Sequence, residues 1–96
     1  MIEYINNLDN VNEEQLEGFF VDWPNPPSKS KHLELLRNSS YIWLALDNKN
    51  EKVIGFINAI TDQVLSAYIP LLEVLPEHQG KGIGKKLAEL MIETLK

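Results

Sequence analysis

The fold of this chain is decided by the run Val74-Leu75-Pro76-Glu77-His78-Gln79-Gly80-Lys81-Gly82-Ile83-Gly84-Lys85. It joins an apolar, strand-like segment to an amphipathic helix through a turn with glycines at alternate positions. Because glycine lacks a Cβ, consecutive backbone N–H groups in such a turn can converge on an anion. The helix adds its positive dipole end and its unpaired first-turn donors. Together with Lys81, Lys85 and Lys86, the run predicts a ligand that carries a pyrophosphate.

The spacing of the glycines argues against two common phosphate-binding motifs. A Walker-type loop ends in Gly-Lys-Ser/Thr, but Lys85 is followed by Lys86, so the hydroxyl that would bind Mg²⁺ is missing. A dinucleotide fingerprint needs Gly-x-Gly-x-x-Gly, and the last position, counted from Gly82, is Leu87. The run is therefore a strand-to-helix phosphate turn of another kind.

The remaining pattern is Gln79-x-x-Gly82-x-Gly84, preceded by Val74-x-Pro76. It resembles the acetyl-CoA signature of the GNAT superfamily of N-acetyltransferases, which lies at a strand-to-helix junction. Two further stretches, residues 17–27 and 65–74, are similar to a bacterial subgroup of that family. The alternative interpretation is an ordinary glycine-rich turn with no ligand.

Length, composition and charge limit the function classes. The 96 residues form one domain, and a hydrophobic share of 44% is typical of a globular chain. We see no apolar run near the roughly 20 residues that span a bilayer and no signal sequence, so we expect no membrane partner. The absence of cysteine excludes disulfides and suits the cytoplasm. The net charge of −5 argues against nucleic-acid binding.

Hydrophobic periodicity and turn residues predict the element order β-α-α-β-β-β-α, an α/β (α+β) fold with a mostly antiparallel sheet. The predicted strands are residues 1–6, 41–46, 52–60 and 65–75. The predicted helices are residues 13–20, a second helix that begins after Ser28 or Ser30 and ends near Asn38, and residues 82–95. Asn12 with Gln15 forms a capping-box pattern, and Ser28 or Ser30 caps the second helix. Pro70 predicts an irregular, edge-like or bulged fourth strand. Gly55 predicts either a bulge in its strand or a close approach of another segment to its backbone.

This order is similar to the first half of the GNAT fold, as far as the helix after the cofactor loop. GNAT domains usually continue with further strands and a helix that complete the acceptor pocket. The present sequence stops at Lys96. We therefore expect a single domain over residues 1–96 that is incomplete at its C-terminus.

The resemblance implies a set of cofactor-binding residues. In the family the strand before the loop is bulged, and pantetheine lies beside it; here the bulge would fall near residues 72–74, and the N–H of Val74 would point at the thioester carbonyl. The acetyl-CoA contacts implied are Leu72, Val74, Gln79, Gly80, Lys81, Gly82, Ile83, Gly84 and Lys85. Leu72 and Val74 could instead be plain core residues, and the lysines a solvated helix turn.

The catalytic residues cannot be named from the sequence. Glu73 lies on the relevant strand, but alternation could send it to either face. Tyr68 stands about where some family members have a glutamate, and tyrosine is a poor base at neutral pH. The region of Phe19, Phe20 and Trp23 lines the acceptor side in the family, although an aromatic anchor for the loop is the favoured interpretation.

Both histidines, His32 and His78, lack a partner at metal-ligand spacing, so we expect surface positions for them and no metal. The leading hypothesis is an N-acetyltransferase that uses acetyl-CoA as cosubstrate and acetylates a primary amine of a small molecule or protein. The alternative is a CoA-binding or structural half-domain that forms a homodimer through its open sheet edge. A third hypothesis is a phosphate- or nucleotide-binding regulator that uses the same loop.

Overall fold

The computed structural model describes all 96 residues. The chain forms one four-stranded antiparallel sheet with an α-helix on each face. The strands are β1 (Ile2–Ile5), β2 (Tyr41–Asp47), β3 (Lys52–Thr61) and β4 (Ala67–Val74), and they lie in the order β1-β2-β3-β4. The helices are α1 (Lys29–Arg37) and α2 (Ile83–Leu95), and two 3₁₀ turns span Glu13–Leu16 and Pro76–His78. The predicted α/β class is confirmed. Neither α-helix has the length and apolar composition that crossing a membrane requires.

The first predicted helix, residues 13–20, is wrong, because only the turn Glu13–Leu16 forms. Its capping box is present: the Asn12 N–H donates to Gln15 Oε1 over 2.9 Å, and the Gln15 N–H donates to Asn12 Oδ1 over 3.2 Å. The chain leaves helical geometry at Glu17, which is extended with φ −68° and ψ 140°, and Gly18 (φ +95°) and Phe20 (φ +64°) then adopt left-handed backbone. The second predicted helix is confirmed with Ser28 as its cap, whose Oγ accepts from the Lys31 N–H over 3.1 Å.

Strand β4 is irregular, as Pro70 predicts. Asn58 pairs with Leu71 and Ile60 pairs with Tyr68, so two residues of β4, Ile69 and Pro70, face the single residue between them on β3. This bulge places Pro70 where no ladder donor is needed. The bulge expected near residues 72–74 is wrong, because those residues pair in regular register with β3.

The hydrophobic core lies on both faces of the sheet. One face packs against α1 and the first 3₁₀ turn through a cluster that includes Leu16, Leu36 and Phe56. The other face packs against α2, whose Ile83, Leu87 and Met91 are buried. Burying each such side chain contributes about 1.5–3 kcal/mol. The sheet thus holds both the start of α2 and the loop before α1 in fixed positions.

Gly55 lets α2 approach β3 closely. A Cβ at this residue would lie 3.2 Å from Ile83 Cγ2 and 3.2 Å from Leu87 Cδ1. The register between β2 and β3 also shifts beside it, between the pairs Ala45–Gly55 and Leu46–Val53. Both sequence interpretations of this glycine, a bulge and a close approach, are therefore confirmed.

The expected surface position of His32 is wrong, because only 1% of this residue is exposed. It lies on the inner face of α1 against Phe19, Phe20 and Phe56, with ring centroids 4.4–5.3 Å away. Neither ring nitrogen has a hydrogen-bond partner. Burial lowers the pKa of His32 to about 4, since desolvation disfavours the charged imidazolium.

Candidate functional site

The site begins at the open edge of β4, which is the last strand of the sheet. The N–H of Leu71 donates to Asn58 Oδ1 over 3.1 Å, and the N–H of Leu75 donates to the Ile54 carbonyl over 2.9 Å, both toward β3. Backbone N–H groups alternate in direction along a strand. The N–H groups of Leu72 and Val74 therefore point away from β3, toward the open edge. These two residues match the positions predicted for backbone contacts to a ligand.

The loop after β4 presents a series of free amides. The turn Pro76–His78 uses its own donors, since the His78 N–H bonds the Leu75 carbonyl. No backbone or side-chain acceptor lies within hydrogen-bond distance of the N–H groups of Gly80, Lys81 and Gly82. The first intrahelical bond of α2 runs from the Lys86 N–H to the Gly82 carbonyl over 3.0 Å, so the donors of residues 83–85 are also unpaired.

Left-handed backbone at Gly80 and Gly82 shapes this series of donors. Their φ angles are +82° and +83°, and Gly82 is the residue that precedes α2. A Cβ at either glycine would meet nothing within 4 Å, so the space in front of them is open. The positive φ, rather than crowding, is what requires glycine here. The result is an open concavity of about 280 Å³, which both glycines line together with Gly84.

Gln79 connects the loop to the strand. Its side-chain Nε2 donates to the Val74 carbonyl over 3.0 Å, and its backbone N–H donates to the Pro76 carbonyl over 3.3 Å. Both of these donors are therefore engaged within the protein. Gln79 therefore holds the loop against the strand, and its expected contact with a pyrophosphate stays a prediction, while Gly80 and the residues after it offer free backbone donors.

The charge around the concavity is positive. None of Lys81, Lys85 and Lys86 takes part in any of the four ion pairs of the chain. All three are exposed, and Lys81 Nζ lies 3.4 Å from His78 Nδ1. The α2 dipole adds positive potential at the same place. Cations at a helix N-terminus are unfavourable without an anion, so the arrangement suits an anionic ligand.

A second cleft, of about 450 Å³, lies between β4 and the segment from Gly18 to Asp22. Val74 and Gln79 line both the cleft and the concavity, so the two cavities adjoin. Phe20 is buried, whereas Trp23 is 45% exposed. Phe20 is therefore an aromatic anchor that holds the loop to the core, as the sequence favoured, whereas Phe19 lines the cleft.

One contact of this cleft could not be found from the sequence. The Phe20 N–H donates to Glu73 Oε1 over 3.0 Å, which fixes the side chain of Glu73 on the face that carries α1. The partners are 53 residues apart in the chain, and no local pattern links them. The left-handed φ of Phe20 is equally invisible in a sequence, since non-glycine residues rarely adopt it.

The structure does not identify a general base that would remove a proton from an acceptor amine. Tyr68 is 67% exposed and lies before the bulge, opposite Ile60. His78 touches only Lys81 among polar side chains. No group of three or more His, Asp or Glu side chains is arranged to hold a metal ion.

Comparison with known proteins identifies the family. The profile described as the acetyltransferase (GNAT) family matches residues 8–96. The uncharacterized N-acetyltransferase ycf52 of Pyropia yezoensis is 32% identical over 97 residues, which cover 97% of this chain and 55% of that protein. The chain therefore belongs to the GNAT family of acetyltransferases, whose members use acetyl-CoA. It spans about half the length of this curated relative.

Solved structures agree with this assignment. The crystal structure of a Deinococcus radiodurans protein assigned as an acetyltransferase superimposes with a TM-score of 0.95 at 37% identity, covering 99% of this chain and 66% of that chain. A chain of the NatC complex bound to Gag peptide and CoA has a TM-score of 0.70 at 24% identity, and the match covers 98% of this chain and 66% of that chain. The second likeness shows the shared fold alone.

Proposed function

We propose that this protein is an acetyl-CoA-dependent N-acetyltransferase that acetylates a primary amine of a small molecule or a protein. The observation that carries the proposal is the series of unpaired N–H groups from Gly80 to Lys85, beside three lysines without carboxylate partners. Six consecutive donors around an open concavity suit a diphosphate, whose oxygens accept many hydrogen bonds at once.

The open edge of β4 suits the other part of the same ligand. Pantetheine carries two amide groups, and the outward N–H groups of Leu72 and Val74 could bond it as they would a neighbouring strand. The strand and the loop are joined by the Gln79–Val74 hydrogen bond, so the two sets of donors have a fixed relation. Leu72, Val74 and residues 80–85 would therefore hold the cosubstrate, with Gln79 as their support.

Acetyl-CoA, when bound, supplies the acetyl group as an activated thioester. In the transfer, the amine, if bound as an ammonium, first gives one proton to water. The neutral nitrogen then bonds to the acetyl carbon as the carbon–sulfur bond breaks, and the second proton passes to the departing CoA thiolate. We assign to the Val74 N–H the donation of a hydrogen bond to the thioester oxygen, where negative charge develops. One preorganised donor of this kind contributes about 3 kcal/mol to lowering the barrier.

Calorimetric titration with acetyl-CoA, CoA and ATP tests the ligand, and thiol release over a panel of primary amines tests the reaction. We expect micromolar binding of acetyl-CoA and CoA, with weak binding of ATP, and thiol release with at least one amine. Preferential ATP binding would contradict the proposal and favour a nucleotide-binding regulator. CoA binding without thiol release from any amine would favour a binding module.

A second candidate function is a CoA-binding or structural unit that forms a homodimer through β4. The observation in its favour is the unpaired edge of β4, beside which Tyr68 is 67% exposed and Val64 and Leu65 are each 91% exposed. Open apolar edges favour pairing with another strand. Light scattering should then give a dimer mass that Tyr68→Lys converts to a monomer, while Ile92→Lys, on the exposed face of α2, leaves it unchanged. A monomeric wild-type protein would contradict this candidate.

A further inference from the structure

The two adjoining cavities of the site carry opposite charge. The concavity at the start of α2 has Lys85 as the one lysine or carboxylate residue in its lining, whereas the cleft between β4 and residues 18–22 is lined by ten residues whose charged members are Asp22 and Glu73. No lysine, arginine or histidine lines the cleft. A cleft of this composition favours a cation over an anion or a neutral molecule.

Glu73 is the carboxylate best placed to receive that cation. It lies between Leu72 and Val74, the residues whose N–H groups face the open edge of β4. Its Oε1 accepts from the Phe20 N–H over 3.0 Å, and this is the only hydrogen bond of the Glu73 side chain within the protein. No cationic side chain lies within 4 Å of Glu73, since the four ion pairs involve other carboxylates. One carboxylate oxygen is thus held by the backbone, and the other has no partner.

The remaining side chains of the cleft are apolar except that of Gln79, whose Nε2 is bonded to the Val74 carbonyl. Phe19, Val21, Leu72 and Pro76 line it together with the two carboxylates. An acceptor that fits this wall has a short apolar body and one positive charge at the end that faces Glu73. An acidic acceptor, or one that carries several polar groups, would leave buried groups unpaired in this cleft.

We propose that Glu73 binds the ammonium group of the acceptor, and that the acceptor is a protonated primary amine with an apolar body. The inference rests on the proposed acetyltransferase function and names its substrate class. Glu73 holds the nitrogen beside the strand whose Val74 N–H is assigned to the thioester oxygen. The Phe20 N–H fixes the orientation of the carboxylate, so Glu73 is a residue that binds and orients the substrate.

The experiment measures binding without turnover. Hexylamine, hexanol and hexanoate are titrated into the protein saturated with CoA, which carries no acetyl group. We expect hexylamine to bind at least about tenfold more tightly than hexanol, and hexanoate not to bind, because a charged hydrogen bond is lost with each replacement. Added salt should weaken the binding of hexylamine and leave that of hexanol unchanged.

The variant Glu73→Gln separates charge from structure. Its side-chain oxygen can still accept from the Phe20 N–H, so the loop keeps its support while the negative charge is lost. We expect the affinity for hexylamine to fall about tenfold or more, with the affinities for hexanol and CoA unchanged. In turnover, KM for the amine should rise more than kcat falls. Glu89→Gln, which removes the same charge from the exposed face of α2, should change none of these values.

The outcomes distinguish the two proposals. Absence of CoA binding by the wild-type protein would overturn the proposed function and this inference with it. CoA binding together with equal affinities for hexylamine and hexanol would overturn the inference alone. Equal hexylamine affinity in Glu73→Gln and the wild type would also overturn it. The comparison of ligands on the wild-type protein decides the question even where the variant does not fold.

Discussion

The side-chain amide of Gln79 donates a hydrogen bond of 3.0 Å to the main-chain carbonyl of Val74. This bond joins the glycine loop to the edge strand across a distance of five residues. Because the Val74 carbonyl points toward the open edge, the bond also satisfies an acceptor that no strand pairs with. The donors of the strand and those of the loop therefore keep a fixed relation to each other.

We expect Gln79→Ala to weaken CoA binding by about fivefold and to cost about 1 kcal/mol of stability, because one partly exposed hydrogen bond is lost. Gln15→Ala, which also loses the capping-box bond from the Asn12 N–H, is the control for CoA affinity. Its Nε2 also donates to a main-chain carbonyl, that of Glu51 over 3.0 Å, but it lies away from the site. Calorimetric titration and denaturant unfolding measure both effects. Equal loss of CoA affinity in the two variants would show that the Gln79 bond has no specific role.

Substitutions at Gly82 test whether the concavity binds an anionic diphosphate. Its φ of +83° makes any larger residue unfavourable, so Gly82→Gln and Gly82→Glu should each lose about 1–2 kcal/mol of stability. The carboxylate should in addition reduce CoA affinity at least roughly tenfold below that of the glutamine variant, since it opposes the diphosphate. Titration of the two variants side by side isolates the charge. Equal affinities would be inconsistent with a diphosphate at this position.

The strands along the chain and the position of α2 could be predicted from the sequence because they follow from local signals. Each of these signals determines the backbone only a few residues away: the alternating apolar residues, the cap at Ser28 and the glycines near α2. The turn at Glu13–Leu16 shows the limit of this reasoning: its capping box formed, but the backbone becomes extended at Glu17 and left-handed at Gly18 and Phe20, so no longer helix follows.

The parts of the site that could not be predicted depend on tertiary contacts. Glu73 reaches Phe20 across 53 residues, and only the folded sheet decides which face of β4 its side chain occupies. The burial of His32 is of the same kind, because the aromatic rings around it come from two distant segments, residues 19–20 and strand β3. The bulge in β4 was expected from Pro70, but its displacement from residues 72–74 follows from the pairing with β3.

His32 makes stability depend on pH. Its pKa is lowered from 6.5 to about 4 by burial, so the unfolded chain binds more protons between these values and stability falls as the pH falls. The loss amounts to at most about 3 kcal/mol. His32→Leu should remove this dependence and raise stability at neutral pH by about 1 kcal/mol, because two buried nitrogens without partners are eliminated.

Denaturant unfolding at several pH values between 7 and 4 measures this effect, with His78→Gln as the control that removes the other histidine. Asp47 and Asp62, whose pKa values are lowered chiefly by hydrogen bonds from Asn50 and from the Val64 N–H respectively, lose their contribution mainly at still lower pH. A pH dependence in His32→Leu as steep as that of the wild type would disagree with the burial of His32.

Gly55 and Gly84 offer a paired test of the packing of α2. A Cβ at Gly55 would lie 3.2 Å from two side chains of α2 and 3.3 Å from the Glu73 carbonyl, whereas a Cβ at Gly84 would lie 3.6 Å from Val74 Cγ2. We expect Gly55→Ala to lose about 1–3 kcal/mol through overpacking, and Gly84→Ala to stay within about 0.5 kcal/mol of the wild type. Thermal unfolding compares them. Equal stability of the two variants would contradict the close approach at Gly55.

The most direct measurement follows the backbone amide signals of isotope-labelled protein by NMR while CoA is added. If the diphosphate is held by the loop, the amides of residues 80–85 should show the largest shifts, accompanied by those of Leu72 and Val74 on the strand edge. Pantetheine, which lacks the diphosphate, should shift only the signals of the strand. Binding of CoA that leaves the amides of residues 80–85 unchanged would contradict the account.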